Sequence, residues 1–447
     1  MADSVQVMLL AILSRVLQKE WDISDTITSS ITSCLFAGAT IGTLILGPLG
    51  DRIGRKPVLI ASASIISCFG FGTSLCNHYL ALFPMIFFVG FGIGGLTVPF
   101  DILAEFLTTE TRGHYLLLIK YFWTAGSVLV PIIAYYTLEI ANSWRLFAAV
   151  SIVPCLVSLY AGYHYVPESP RWLVSKGLKK EALEVLRRAA KENGVDPDEV
   201  FPEGCKLVDE EAEESTSFSD LFAPRWRTLI ITLSVIWATY CFSFYGAIMT
   251  VTRVFENDDD EGPDFDYFAI FISSMSELMG TSAAIQLIDR IGRVKTQVGS
   301  FTIGGLGLFS LCALDSYADR SVLIFFALIS RACMMAGACV TWISTAELLS
   351  TEILATGHSM VNAFARSGAF FSPYLVDSKT PLFTVGLVLL CVNLVTALCA
   401  STLLETKGIE LGKAVLIEEA RSQELEEEKM KEVASNYHRM KGEGTFA

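Results

Sequence analysis

The sequence has few charged residues and lacks the short patterns that mark soluble enzymes. Only 18% of its 447 residues are charged, whereas soluble domains carry about 25%. The eleven cysteines are scattered without Cys-x-x-Cys spacing, so neither a zinc site nor a redox pair is indicated. No nucleophile constellation, phosphate-binding loop or basic stripe suited to nucleic acid is present. We therefore expect no enzyme activity, no cofactor, no metal ion and no nucleic-acid partner.

Long apolar runs are abundant instead, and apolar residues make up 52% of the chain. A run of about 20 apolar residues can cross the hydrocarbon core of a bilayer. Lipid offers the backbone no hydrogen-bond partner, so each spanning run must be a helix. We predict twelve spans, at 1–17, 27–49, 58–76, 80–105, 115–138, 145–165, 228–251, 267–288, 297–314, 321–345, 358–376 and 382–404.

The first span differs from the others because Asp3 lies almost at its start and no basic flank precedes it. A secretory signal peptide would need a positive first segment and a small-residue cleavage site, and neither is found. We expect a helix that begins part-way across the bilayer, which means a truncated first helix.

Lysine and arginine are concentrated in alternate loops. The net charge of −14 comes largely from short acidic segments and the C-terminal tail rather than from these loops. The positive-inside rule places the basic loops and the tail in the cytoplasm. The basic loops contain Arg52, Arg55 and Lys56, the segment from Arg171 to Lys191, and Arg290, Arg293 and Lys295.

Three short stretches recur in the same order at an offset of about 240 residues, which indicates an internal repeat. They pair Gly50–Arg55 with Ile288–Arg293, Ala104–Glu110 with Ala346–Glu352, and Pro167–Ser169 with Leu404–Thr406. The chain is predicted to form two similar six-helix halves, a doubling typical of transporters with a substrate site between them. We predict an N-terminal bundle at 1–166, a cytoplasmic linker with a basic amphipathic helix at 167–226, a C-terminal bundle at 227–405 and a charged tail at 406–447.

The repeated motifs resemble those of a known family. Gly47 to Lys56, read as Gly-Pro-Leu-Gly-Asp-Arg-Ile-Gly-Arg-Lys, resembles the signature loop of the major facilitator superfamily. Pro167 to Leu173 resembles the motif after span six in its sugar-porter and organic-ion branches. Leu404 to Gly408 resembles their Pro-Glu-Thr-Lys-Gly ending, with Leu404 in place of the proline.

Three further stretches are similar to the synaptic-vesicle-two-related proteins and their organic-ion-transporter relatives: Phe242 to Gly246, Ser276 to Gly280 and Ala365 to Ala369. The resemblance implies an all-α membrane protein with the major facilitator fold, two six-helix bundles related by a pseudo-two-fold axis. It also implies a plasma-membrane or vesicle location. Two departures are notable, since Leu354 replaces an expected arginine and span seven lacks the glutamines of sugar porters.

Four ionisable residues lie at membrane depth, where charge is costly and usually functional. Glu277, Arg331 and Arg366 fall near mid-span and Asp3 near the start of the first span. A guanidinium group suits carboxylate or phosphate, although Arg331 and Arg366 could instead form a structural pair with Glu277. Lys120 lies nearer a helix end and is expected to snorkel. The predicted substrate-binding residues are Asp3, Tyr121, Tyr245, Glu277, Arg331 and Arg366, with Phe122, Trp123, Tyr240, Phe244 and Trp342 as further aromatic candidates.

A second set of residues is predicted to form cytoplasmic salt bridges when the protein is open to the outside. They come from the repeated loops and the motifs that follow the fourth, sixth, tenth and twelfth spans. The set consists of Asp51, Arg52, Arg55, Glu105, Arg112, Glu168, Arg171, Asp289, Arg290, Arg293, Glu347 and Glu405.

Together these features predict a monomeric secondary transporter in which two halves rock about a midplane site. The expected substrate is a small organic anion or zwitterion. Glu277 and Asp3 could carry a coupling proton or face a cationic group of the substrate. Two alternatives stay open at this point: a vesicle receptor or scaffold that has a transporter fold but moves no solute, and a sugar porter.

Overall fold

Helices form nearly all of the structure. The computed structural model describes residues 1–98, 102–103, 106–107, 112–202, 204–205, 207, 220–259, 262–349 and 353–407. The first half contains α1 (Ala2–Glu20), α2 (Asp25–Ile53), α3 (Arg55–Ser74), α4 (Tyr79–Gly94), α5 (Arg112–Ala134, continued by a π-helix over Tyr135–Ile140), α6 (Trp144–Val150) and α7 (Val153–His164). The second half contains α11 (Pro224–Val254), α12 (Tyr267–Ile291), α13 (Arg293–Leu314), α14 (Arg320–Leu348), α15 (Leu354–Leu375) and α16 (Leu382–Ser401).

Three short helices lie between the halves: α8 (Pro170–Ser175), α9 (Lys179–Glu192) and α10 (Pro197–Val200). Among them, α9 is a basic amphipathic helix of 14 residues within the predicted linker. Ser169 begins α8 by accepting a hydrogen bond from the Trp172 backbone N–H at 3.1 Å, the usual role of an N-cap residue. Residues 208–219 of the predicted linker and 408–447 of the predicted tail lie outside the described residues.

The helices agree with the predicted spans. Within the described residues, nine helices are long and apolar enough to cross a membrane, with α6 and α7 together counting as one. The other three predicted spans correspond to α1, to the 16-residue apolar helix α4 and to α15. The fold is therefore all-α, as predicted, apart from a small hairpin in the acidic loop. There β1 (Glu256–Asp259) pairs antiparallel with β2 (Gly262–Phe265).

Glycines allow helices of one half to pack closely. A Cβ atom on Gly90 of α4 would lie 2.0 Å from the Leu35 carbonyl oxygen of α2, and one on Gly280 of α12 would lie 2.1 Å from the Ala332 carbonyl oxygen of α14. Both distances are too short for any side chain. The small residues thus bring the backbones into direct contact, as is usual between helices in membranes.

Pro373 interrupts the hydrogen bonding of α15, because proline has no N–H to donate to the carbonyl one turn earlier. The carbonyl that loses its donor belongs to Ala369, and the Ser372 hydroxyl donates to it at 2.9 Å. The polar group is therefore satisfied inside the protein, as a lipid environment requires. The Pro373 carbonyl also accepts a hydrogen bond from the Ser29 hydroxyl of α2, in the other half, at 3.1 Å.

Candidate functional site

Glu277 of α12 and Arg331 of α14 form a fully buried ion pair. The Arg331 Nη2 and Glu277 Oε1 atoms are 2.5 Å apart, and each side chain is only 1% exposed. Met8 of α1 lies against the same guanidinium, with Sδ 3.8 Å from Nη2. Within the described residues, Glu277 Oε2 and Arg331 Nη1 have no hydrogen-bond partner. Both charges come from the second half and neutralise each other, which is the structural alternative considered for Arg331.

Arg366 of α15 is placed differently, because its partners come from both halves. Its Nη1 donates to the Tyr245 hydroxyl of α11 at 3.1 Å. Its Nη2 lies 3.6 Å from Asp3 Oδ2 of α1, which is longer than a direct hydrogen bond. The buried atoms Arg366 Nε and Asp3 Oδ1 have no partner in the part of the chain that the structure describes. Arg366 therefore keeps unused hydrogen-bonding capacity at the interface between the halves.

Lys120 of α5 does not reach toward the cytoplasm, so the snorkelling prediction is wrong. Its Nζ lies 4.1 Å from the centre of the Trp342 ring on α14, within the range of a cation–π contact. Asp3 and Arg366 are among the groups close enough to interact electrostatically with it. Lys120 lies eight residues into α5, which corresponds to a depth of about 12 Å. Two features of the sequence could have indicated this buried position: the distance of Lys120 from the start of α5, and the aromatic run that follows it.

The predicted aromatic residues occupy three kinds of position. Trp342 donates from Nε1 to the Tyr240 hydroxyl at 3.2 Å, and Trp123 lies 6.0 Å from Phe244 between ring centres. Tyr121 contacts Ser282 of α12 at 2.8 Å, so it joins the halves. The remaining candidate, Phe122, is 63% exposed on the outside of the bundle and lines no internal site.

His358 and Trp237 adjoin this cluster and were not predicted. The His358 ring lies 5.1 Å from the Trp342 ring and 5.3 Å from the Trp237 ring, measured between centres. Its Nε2 is buried without a partner among the described residues. Nothing in the sequence singled out these two residues, because their proximity depends on how α11, α14 and α15 pack together.

The end of the molecule opposite the basic loops, here called the outer end, is closed by contacts between the halves. The Ser29 and Ser33 hydroxyls of α2 donate to the carbonyl oxygens of Pro373 at 3.1 Å and Phe370 at 2.7 Å. Arg15 of α1 donates to the Val376 carbonyl at 2.8 Å and also binds the Ser378 hydroxyl. Three residues of the first half therefore bind the C-terminal part of α15 and the residues that directly follow it.

At the inner end of the molecule, where the basic loops lie, equivalent contacts in the two halves correspond to the internal sequence repeat. The Glu168 carboxylate accepts hydrogen bonds from the backbone N–H of Arg55 at 2.8 Å and of Lys56 at 3.2 Å. Gly54 precedes them with φ of 110°, a conformation that favours glycine. A Cβ atom there would lie 2.4 Å from the Glu168 carboxylate. Glu168 thus caps α3, the third helix of the first half.

The second half repeats this arrangement. Glu405 accepts from the backbone N–H of Arg293 at 2.7 Å and of Val294 at 3.1 Å, and Gly292 has φ of 95°. The two carboxylates therefore perform the same task at the start of α3 and of α13. Their equivalence is the structural meaning of the repeated sequence motifs.

The ion pairs between described residues at the inner end stay within one half. Arg55 binds Asp51 at 2.8 Å, and Arg293 binds Glu347 at 2.9 Å and lies 3.6 Å from Asp289. Three other predicted members are exposed on the surface: Arg52, Arg171 and Arg290. Glu105 and the side chain of Arg112 lie outside the described residues. The predicted role of this set in the outward-open state stays a prediction.

Comparison with known proteins agrees with this architecture. The synaptic vesicle 2-related protein of Pongo abelii is 29% identical over 432 residues, covering 91% of this chain and 77% of its own. The organic cation/carnitine transporter 7 of Arabidopsis thaliana is 26% identical over 449 residues, covering 91% of this chain and 87% of its own. The inward-open structure of the xylose transporter XylE from E. coli has a TM-score of 0.69 at 19% identity, over 93% of this chain and 98% of XylE.

The likeness to XylE supports the major facilitator fold. The model of the sugar (and other) transporter family matches residues 7–415, which is most of the chain and includes both halves. The chain therefore belongs to the sugar (and other) transporter family, and it is a multi-pass membrane transporter of the major facilitator type.

Proposed function

We propose that this transporter is a secondary carrier of a small organic anion or zwitterion, and that Arg366 binds the anionic group. The observation that carries the proposal is the position of Arg366. It is 8% exposed, lies between the halves, and has an unused Nε in the described part of the protein. A guanidinium group binds carboxylate with two parallel hydrogen bonds. A substrate carboxylate could therefore replace the long contact to Asp3.

Arg331 is the weaker candidate for the same role. Glu277 already supplies a carboxylate at 2.5 Å, and both side chains are 1% exposed. Drawing Arg331 toward a substrate would leave Glu277 buried and unpaired, at a cost of several kcal/mol. We therefore assign Arg331 and Glu277 to structure and keep Arg366, Tyr245 and Asp3 as the substrate-binding set.

Alternating access follows from where this set is located. Asp3 belongs to the first half, whereas Tyr245 and Arg366 belong to the second. A solute that binds both halves changes the free-energy difference between the inward-open and outward-open states, provided its contacts differ between them. The outer contacts from Arg15, Ser29 and Ser33 would have to break in each cycle.

Asp3 offers a place for a positive charge. Its Oδ1 lacks a partner among the described residues, so it could accept a substrate ammonium or a coupling proton. The name of the Arabidopsis relative includes carnitine, a zwitterion with one carboxylate and one quaternary ammonium group. The proposed set has the charges to bind such a molecule, with Arg366 on the carboxylate and Asp3 on the ammonium.

The first prediction tests Arg366. We expect Arg366→Gln to reduce uptake of organic carboxylates into proteoliposomes at least about tenfold, equivalent to about 1.4 kcal/mol, because glutamine cannot bind carboxylate with charge. Arg188→Gln is the matched control, since Arg188 lies on the exposed surface of α9 and pairs with Glu192. Melting temperatures of both variants would verify folding.

The outcomes separate the alternatives. Carboxylate uptake that survives Arg366→Gln would contradict the proposal. Uptake of neutral sugars that does not respond to the substitution would instead support a sugar porter. A wild-type protein that moves no tested solute would favour the receptor or scaffold alternative.

A further inference from the structure

We propose that Lys120 is a second carboxylate-binding residue of this site, and that the Trp342 ring holds its ammonium group while the site is empty. The inference rests on the proposed function, because it adds a residue to the site assigned to Arg366. It also names the substrate more closely as a carboxylate that is shared between two cations.

The Lys120 ammonium group contacts an aromatic ring rather than a carboxylate. Its Nζ lies 4.1 Å from the Trp342 ring centre, and no carboxylate of the described residues forms an ion pair with it. A cation at membrane depth is costly, and an aromatic face compensates only part of that cost. A carboxylate would bind the ammonium group more strongly through charge-assisted hydrogen bonds.

The charges of the side chains around Lys120 do not cancel. Lys120, Asp3 and Arg366 interact electrostatically with one another, and they contribute two positive charges and one negative charge. The Glu277–Arg331 pair is neutral as a whole. Among these side chains, one positive charge is therefore left over at the interface between the halves. A single negative charge on the substrate would neutralise it.

The third observation is that donors are unused on α5 and α15, the helices that carry the two cations. On α5, the Trp123 Nε1 and the Ser127 hydroxyl are buried without a partner in the described part of the chain. Ser127 lies two helical turns beyond Lys120, on the same face of the helix. On α15, Arg366 Nε is likewise unused. Buried polar atoms are normally satisfied, so this group of donors indicates an acceptor that arrives with the substrate.

Lys120 also offers a physical link between binding and motion. It belongs to α5 of the first half, and Trp342 belongs to α14 of the second. When the ammonium group leaves the ring to bind a substrate carboxylate, a contact between the halves is exchanged for a contact with the substrate. A ligand that makes this exchange stabilises one state over the other, which is the requirement for ligand-driven rocking.

The test uses the purified full-length protein in detergent, with 3-phenylpropionate and its uncharged amide as probes. Binding is measured by titration calorimetry or by the ligand-induced rise in melting temperature. We expect Lys120→Gln to weaken binding of the acid at least about tenfold and to leave binding of the amide unchanged. Lys120→Arg should restore acid binding to within about threefold, because it keeps the charge.

Two further variants sharpen the measurement. Lys295→Gln is the matched control, since Lys295 is exposed at the start of α13, and it should bind the acid like the wild type. Trp342→Phe should strengthen acid binding about threefold, because phenylalanine attracts a cation less than tryptophan does and releases Lys120 more easily.

The two proposals fail in different ways. If acid binding depends on Arg366 but is unchanged in Lys120→Gln, the role of Lys120 is wrong and the proposed function stands. If Lys120→Gln weakens the acid and the amide equally, Lys120 only supports the fold and the inference is likewise overturned. If the wild type binds the acid no better than the amide, the role proposed for Arg366 falls, and that of Lys120 falls with it.

Discussion

Ion pairs within one half of this protein differ from those between the halves. Glu277 and Arg331, both in the second half, are 2.5 Å apart with side chains 1% exposed. Asp3 and Arg366, from different halves, are 3.6 Å apart with side chains 17% and 10% exposed. Tight pairing within a half keeps each bundle rigid. Looser pairing between the halves suits contacts that must form and break during every transport cycle.

The outer end offers one arginine contact of each kind. Arg145 donates to the Asn77 side chain at 3.1 Å, and both residues belong to the first half. Arg15 instead reaches from the first half to the Val376 carbonyl of the second at 2.8 Å. The hydrogen-bond distances are similar, and Arg15 has in addition an ion pair with Glu256 at 3.8 Å. The two arginines are therefore matched in hydrogen-bond length but not in charge pairing.

The largest effect is expected at the buried pair. Glu277→Gln leaves the Arg331 charge buried without compensation, so it should destabilise the protein by about 3–5 kcal/mol. Thermal or denaturant unfolding in detergent would measure the loss. The double variant Glu277→Met, Arg331→Met removes both charges and should recover most of it. A single variant as stable as the wild type would show that the pair does not hold α12 to α14.

A smaller effect is expected at the outer end, and on the conformational equilibrium rather than on stability. Arg15→Ala removes contacts between the halves and should shift the population toward the outward-open state about tenfold, equivalent to about 1.4 kcal/mol. The labelling rate of a thiol reagent at Thr32→Cys, which is buried on α2, reports this opening.

Arg145→Ala is the control for that experiment, because it removes a contact of similar length inside the first half. It should leave the labelling rate at Thr32→Cys unchanged. Equal labelling rates in the Arg15 and Arg145 variants would show that contacts between the halves and contacts within one half do not differ in effect at the outer end.

The smallest effect is expected at Asp266, in the loop before α12. Burial alone would raise the pKa of its carboxyl, but the hydrogen bonds from Arg320 and from the Ala269 N–H hold this pKa below its usual range. The resulting stability is present above the unfolded pKa of about 3.9 and is lost as the pH falls through the folded-state pKa.

Asp266→Asn should therefore melt slightly below the wild type at pH 6 and converge with it only when the pH falls below the lowered folded-state pKa of Asp266, where both side chains are neutral. Solvent screens this exposed contact, so the difference should be at most about 2 °C. Uptake should not change, because Asp266 and Arg320 lie in the same half. A difference that grows on acidification would contradict the assignment.

Much of the fold could be predicted from the sequence, because the thickness of a bilayer fixes the length of the spanning helices. The repeat also predicted two equivalent halves. The roles of Glu168 and Glu405 could not be read in the same way. Each caps a helix that begins more than a hundred residues earlier in the chain, and only the folded structure brings the carboxylate to the glycine.

The sequence predicted the ionisable residues of the candidate site but not which of them pair with each other. Arg331 and Arg366 both lie in apolar helices at similar depth, so the sequence does not distinguish them. What separates them is the rotation of each helix, which points Arg331 at Glu277 and Arg366 at the other half. Lys120 was misjudged because its partner, Trp342, lies far away in the chain and is brought close only by packing of the two halves.

The outer contacts have a consequence for how such proteins diversify. Ser33, Ser29 and Arg15 bind the main-chain carbonyls of Phe370, Pro373 and Val376. Every residue has a main-chain carbonyl oxygen whatever its side chain, so substitutions at these three positions leave the hydrogen-bond acceptors in place. The side chains that face the solute can then change during evolution while the contacts that close the outer end are kept. One fold can in this way come to transport many different substrates.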